Sequence, residues 1–153
     1  ISFEVKEKSY IALMGLNGSG KSSLVMAILN HPIYKVSGEI NFNNNNISNS
    51  TSEERFKNGI MATFQHPIGI PGLTLFNYLK NFLQKFHPQM PIKDYRPYLK
   101  SLLSQLSLDE NIMNRYLNDN FSGGERKKIE LLQVLIINPK LVIFDEIDSG
   151  VDI

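Results

Sequence analysis

The sequence predicts an α/β fold, a sheet-and-helix core interrupted by an all-helical insertion, on three observations. A short apolar run at residues 10–14 feeds directly into a glycine-rich loop and then a helix. A fully apolar run at residues 141–144 ends in two adjacent carboxylates, Asp145 and Glu146. Between them, from about Pro67 to about Phe121, the apolar spacing turns helical. The core is therefore expected in residues 1–66 and 122–153, and a helical subdomain in residues 67–121.

Along the chain, residues 2–5 alternate in polarity like a strand, residues 6–8 form a charged turn, and residues 10–14 read as a buried strand. The glycine-rich loop covers residues 15–22 and a helix follows over 23–29. Residues 38–42 alternate like an edge or antiparallel strand, and the run Asn43-Asn44-Asn45-Asn46 reads as a solvated loop after it. A short polar helix over 53–58 is stopped by Gly59, and residues 60–64 are another strand. His66-Pro67 and Ile70-Pro71-Gly72 then punctuate the chain. Phe76, Leu79, Phe82, Leu83 and Phe86 share one helical face, as core residues rather than a base-stacking platform. A second helix is expected over 96–106 with Pro97 in its first turn, and a short third over 110–116. Gly123-Gly124 opens a strongly apolar helix that runs to Ile137 and is closed by Asn138-Pro139.

Composition narrows the function classes. The 153 residues can bury one domain core, and 42% hydrophobic with 20% charged residues is an ordinary globular balance. Lys and Arg number 16 against 15 Asp and Glu, with no basic stripe, so no nucleic-acid partner is expected. The absence of cysteine excludes disulfides, thiolate metal sites and a Cys nucleophile from this segment. No apolar run approaches the roughly 20 residues that span a bilayer, so no direct membrane insertion is expected. No signal or transit peptide opens the chain, and a start at Ile1 without Met reads as mid-domain. His31, His66 and His87 each precede a proline and are too scattered for a metal site; turn or surface roles are expected of them.

The chemistry lies in three motifs. Gly15-Leu16-Asn17-Gly18-Ser19-Gly20-Lys21-Ser22 matches G-x-x-x-x-G-K-[ST] in full. Its glycines let successive N–H groups of Gly18, Ser19, Gly20 and their neighbours converge on phosphate oxygens, with Asn17 and Ser23 at the rim. Lys21 supplies a charge to the β- and γ-phosphates, the Ser22 hydroxyl a ligand for Mg²⁺, and the following helix its positive dipole end. Strand 141–144 carries Asp145 to a sheet edge, where it can hold Mg²⁺, and Glu146 is placed to polarise an attacking water. Phe121-Ser122-Gly123-Gly124-Glu125-Arg126 sets two glycines at a helix start, at a cost in helix stability, and offers backbone N–H groups and a hydroxyl to a second anion.

These motifs, in this order, resemble the ABC-type ATPases, P-loop nucleotide-binding domains with a helical subdomain; the resemblance covers essentially the whole chain. It implies ATP and Mg²⁺ as ligands and a head-to-tail dimer in which Ser122, Gly123, Gly124 and Glu125 close the ATP site of a second copy. It also implies a role for Gln65, at the end of a strand, in contacting Mg²⁺ and the attacking water. Metal binding is thus expected from Ser22, Gln65 and Asp145, and catalysis from Glu146 and Gln65. Residues 149–152 look like the loop that crosses the dimer interface. Three departures from transporter ATPases narrow the resemblance: Glu125 where Gln is usual, Asp145-Glu146-Ile147-Asp148-Ser149-Gly150 without Pro-Thr, and Gln65-His66-Pro67-Ile68-Gly69-Ile70-Pro71-Gly72. Together with Asn30-His31-Pro32-Ile33-Tyr34 they look like the Suf-type (SufC-like) iron–sulfur cluster assembly ATPases, apart from Gly69, where that subfamily has Glu. This implies an ATPase that drives conformational work in Suf-type scaffold proteins in the cytoplasm or a plastid stroma; the alternatives are a transporter ATP-binding subunit and a nucleotide-binding module without catalysis. The family's adenine-stacking aromatic is expected before Ile1 and its switch histidine after Ile153, so residues 1–153 alone are expected to be a poor ATPase.

Overall fold

The computed structural model describes residues 1–63, 70–117 and 121–144. Its chain divides into two compact units, Ile1–Arg55 and Phe56–Ile153.

In the first unit the glycine-rich loop leads into helix α1 (Lys21–Ile28). The expected strands at residues 2–5 and 10–14 are not formed: neither takes part in a ladder, and Tyr10 and Met14 are exposed. An apolar run becomes a strand only when a neighbour takes up its N–H and C=O groups, and no described residue does so here. Strands β1 (Asn41–Phe42) and β2 (Asn45–Asn46) pair antiparallel, Asn41 opposite Asn46 and Phe42 opposite Asn45. The asparagine tract is thus the two-residue turn and second strand of a hairpin rather than an open loop. Asn43 and Asn44 both take positive φ, 49° and 63°, as a turn matched to the strand twist requires and as asparagine tolerates. Helix α2 (Ser52–Lys57) follows, with the Thr51 hydroxyl accepting from the Glu54 N–H and the Glu54 carboxylate accepting from the Thr51 N–H.

Arg55, on α2, is the most consequential residue of this unit for stability. It is 1% exposed, yet no carboxylate among the described residues pairs with it. Its two terminal nitrogens donate to four carbonyls: Ala27 (2.9 Å) and Ile28 (2.7 Å) at the end of α1, Ile47 (2.9 Å) and Ser48 (3.0 Å) after the hairpin. The last carbonyls of the helix thereby meet a cation, the sign that the helix dipole favours there. Burial lowers the Arg55 pKa from its ordinary value, but a guanidinium stays protonated at any working pH.

In the second unit, β3 (Ile60–Ala62) and β6 (Leu141–Ile143) pair parallel, Ile60 opposite Leu141 and Ala62 opposite Ile143. Gly59 starts this pairing. Its carbonyl accepts from the Lys140 and Leu141 N–H groups, its φ is +97°, and a Cβ there would lie 3.2 Å from the Lys140 backbone. The ladder continues as Thr63 N–H donates to the Ile143 carbonyl. Both strands therefore end at one sheet edge, just before Gln65 in one and Asp145 in the other; those residues lie outside the described ones.

The segment expected as all-helical holds a two-stranded ribbon as well. Strand β4 (Ile70–Thr74), read from Pro71-Gly72 as mere punctuation, pairs antiparallel with β5 (Tyr116–Leu117) through an irregular register. Helix α3 (Leu75–Phe86) follows, N-capped by the Thr74 hydroxyl. Leu75, Leu79 and Leu83 are fully buried, while Phe76 and Phe82 pack half-buried at the core's edge and Phe86 stacks on Phe82. Helix α4 (Ile92–Gln105) begins four residues earlier than its expected start, so Pro97 sits inside it and not in its first turn. Buried Tyr95, Leu99, Leu102 and Leu103 hold the helix across that break. A 3-10 turn (Glu110–Asn114) precedes β5, and helix α5 (Gly123–Ile137) has the expected bounds. His87 has a structural part. At the end of α3 its Nε2 lies 2.7 Å from the Ile136 carbonyl of α5, with its ring against Tyr98. On α5, Glu130 is buried with Oε2 unbonded and Lys127 at 4.0 Å; burial raises its carboxyl pKa, which Lys127 partly offsets.

Candidate phosphate-binding site

The loop from Gly15 to Gly20 is shaped by its glycines. Gly18 and Gly20 take φ of +80° and +97°, where an L side chain would be strained, and a Cβ at Gly15 would lie 2.7 Å from the Ser19 hydroxyl oxygen. The Ser19 N–H donates to the Leu16 carbonyl, closing a turn. The Lys21 ammonium folds over this turn, donating to the Gly15 (2.8 Å) and Leu16 (2.9 Å) carbonyls. It is thus held above the loop by weak neutral acceptors, which a phosphate oxygen can replace with a stronger charged one. Helix α1 starts at Lys21 with no side-chain cap and no acidic residue in its first turn. Its N-terminal N–H groups at Lys21, Ser22 and Ser23 therefore meet no competing anion from a cap, and Ser22 presents its hydroxyl on the exposed face. The cradle fits the phosphates of a nucleotide. Lys21 and the loop N–H groups would hold them and Ser22 would take a magnesium ion, whose part is to neutralise phosphate charge.

The second anion motif is built differently. Ser122 N-caps α5, its hydroxyl accepting from the Glu125 N–H (3.1 Å), while the Glu125 carboxylate accepts from the Ser122 N–H (2.8 Å). This reciprocal capping box satisfies two of the helix's orphan donors. It leaves the Gly123 and Gly124 N–H groups and the Ser122 hydroxyl proton as the donors that an anion could use. Glu125 was expected among the phosphate-binding residues, but its carboxylate is committed. Its second oxygen pairs with Arg115 (2.9 Å), whose guanidinium also lies 4.5 Å from the Phe121 ring centroid. An ionised carboxylate has no proton to give a phosphate, so this geometry makes Glu125 the group that orients the helix start. Arg115 carried no sequence signal of this task, because it meets Glu125, ten residues on, only in the folded chain.

The Ser122 N–H bond holds the Glu125 carboxyl below its usual pKa; burial opposes it, and Arg115 adds to the lowering. A depressed folded pKa gives stability that is present above the unfolded pKa and lost as pH falls through the folded one. Glu125→Gln should therefore flatten the acid side of the stability–pH curve. Guanidinium unfolding from neutral pH down through the carboxylate range checks this, and superimposable curves would contradict it.

Gln65, Asp145 and Glu146, the expected metal and catalytic residues, lie outside the described residues. Among the described residues no cluster of three or more His, Asp or Glu side chains could hold a metal, and no helix is long and apolar enough to cross a membrane.

A glycine-shaped loop, its folded-over lysine and an uncapped helix, followed by a capped Gly-Gly helix start, coincide with a family match: the ABC transporter family matches residues 1–149. The chain belongs to that family. Curated relatives include the "Probable ATP-dependent transporter ycf16" of Cyanidium caldarium, 40% identical over 159 residues, covering all of this chain and 63% of that protein. A "Probable ABC transporter ATP-binding protein" of Streptococcus pyogenes serotype M3 is 36% identical over 157 residues and is 61% covered. Among solved structures, a dimeric post-hydrolysis ATP-binding cassette bound to ADP and Pi superposes with a TM-score of 0.79 at 24% identity, over 98% of this chain and 66% of that one. A nucleotide-free cassette from an ABC transporter gives 0.63 at 28% identity, over 89% and 57%. These establish the ABC cassette, a P-loop NTPase fold of the α/β class. The chain spans less than two thirds of the length of each of these relatives.

Proposed function

We propose that this chain binds ATP with Mg²⁺ and forms the hydrolytic core of an ATPase subunit. The observation that carries the reading is the loop at residues 15–22, with Lys21 poised over its carbonyls at the mouth of an uncapped helix. Asn17, Gly18, Ser19 and Gly20 line the phosphates, and Ser22, Gln65 and Asp145 organise the metal. Glu146 serves as general base toward the attacking water. Ser122 with Gly123 and Gly124 closes the site of a second copy, so two nucleotides lie between two head-to-tail chains. The parallel pairing of β3 with β6 supports this assignment, because Gln65 follows one strand and Asp145-Glu146 the other, from the same edge. The division into a core (1–66 and 122–153) and an inserted subdomain (67–121) belongs to this reading. In the full-length protein, Glu146→Gln should keep ATP binding and abolish turnover; if phosphate release persists at the native rate, Glu146 is not the base.

Within the family, we favour the Suf-type branch: an ATPase whose cycle drives conformational change in an iron–sulfur assembly scaffold. Glu125, the Asp-Glu-Ile-Asp-Ser-Gly run from Asp145 and the stretch from Gln65 to Gly72 support this reading. The names of the relatives favour the second reading, an ATP-binding transporter subunit. A pull-down of the tagged full-length protein from its native cells separates the two. Soluble scaffold proteins support the first, and membrane-spanning permease subunits overturn it.

A further inference from the structure

A groove of about 560 Å³ in the second unit lies between helix α4 and the 3-10 turn, and none of the motif residues described above lines it. Lys93, Arg96 and Lys100 line it from α4 at helical spacings of three and four, which places all three on one face. Glu110, Asn111, Met113 and Asn114 form the opposite wall. Three cations thus face one carboxylate, and that carboxylate is already paired with Lys100 at 2.7 Å. Arg96 is held rather than free to swing: it donates to the Asn114 side chain (3.0 Å) and lies 5.5 Å from the Phe76 ring centroid.

The backbone adds a second feature. Pro97, in the groove lining, is inside α4 and has no N–H to give the Lys93 carbonyl. An interior proline costs helix stability, and local rules broken in this way concentrate where a surface is used. Here it leaves a backbone acceptor lacking its usual donor beside a net positive lining, and among the described residues the Asn114 amide nitrogen has no acceptor.

We propose that this groove docks an extended acidic segment of a partner polypeptide. Carboxylates of the segment meet Lys93 and Arg96, and its backbone N–H and C=O groups meet the Lys93 carbonyl and the asparagine amides. A nucleic-acid strand fits worse, because no aromatic side chain lines the groove for a base to stack on.

The test is fluorescence anisotropy of a labelled oligoglutamate peptide with the full chain at low and physiological salt. Reversing Lys93, Arg96 and Lys100 to Glu should weaken binding by about tenfold or more, whereas reversing Lys6, Lys8 and Lys35 should change it by less than about twofold. The single change Lys93→Glu, at an exposed position, should weaken binding measurably with an unchanged circular-dichroism spectrum, and so guards against a triple variant that fails to fold. Three results would overturn the proposal: no binding to the native chain, equal losses in the two triple variants, or preference for a single-stranded oligonucleotide over the peptide.

Discussion

Arg55→Met lowers the unfolding free energy by about 3 kcal/mol, the largest stability loss expected of any single change in the first unit. The methionine fills most of the volume of the aliphatic stem, so the effect isolates the guanidinium. Four carbonyls lose a charged donor at once: two at the end of α1 and two after the hairpin. With the site 1% exposed, water cannot replace those bonds without opening the structure. Arg55→Lys keeps the charge but presents one nitrogen in place of a planar fork, and should recover only part of the loss. Equilibrium unfolding in guanidinium chloride, compared at equal m-value, measures both. A loss below about 0.5 kcal/mol for Met would mean that the four bonds contribute little net stability.

Lys21→Gln is expected to weaken MgATP binding by about a hundredfold while leaving the fold intact. Among the described residues the side chain bonds to two loop carbonyls, and it lies at the surface of the loop and not in the core. What disappears is a full positive charge and its charge-assisted bonds to phosphate oxygens, on the order of 2–3 kcal/mol. The amide of glutamine restores one neutral donor and none of the charge. Titration calorimetry with MgATP and MgADP reads the loss, which should be larger for the triphosphate because the ammonium is assigned to the β- and γ-phosphates. An equal loss for both nucleotides would displace Lys21 from the terminal phosphate.

Much of this architecture is written in local chemistry. The bounds of α5 are legible because Ser122 and Glu125 form a capping box and Asn138-Pro139 ends the helix with a residue that tolerates positive φ. The phosphate loop is legible because its glycines, Lys21 and Ser22 each answer a separate physical need. What was not legible depends on partners distant in sequence. Pro97 suggested a helix start by a local rule, but burial of Tyr95 and Leu99 carries α4 through it. Pro71 and Gly72 read as a break, whereas an edge strand tolerates both when its partner is as short as β5. The alternation at residues 2–5 and 10–14 signals strands that only neighbouring strands could make. Arg55 gave no signal, because an arginine in a polar helix reads as surface until α1 and the hairpin close around it. Glu125 was legible as a departure from the transporter pattern, but its commitment to Ser122 and Arg115 belongs to the folded chain.

The central claim is that residues 15–22 hold the phosphates of a nucleotide, and amide chemical shifts recorded during a MgATP titration test it most directly. The account predicts the largest and earliest shifts at the N–H groups of Gly18, Gly20, Lys21, Ser22 and Ser23, absent in Lys21→Gln at the same nucleotide concentration. Saturable MgATP binding whose shifts fall elsewhere and leave this loop unmoved would contradict it.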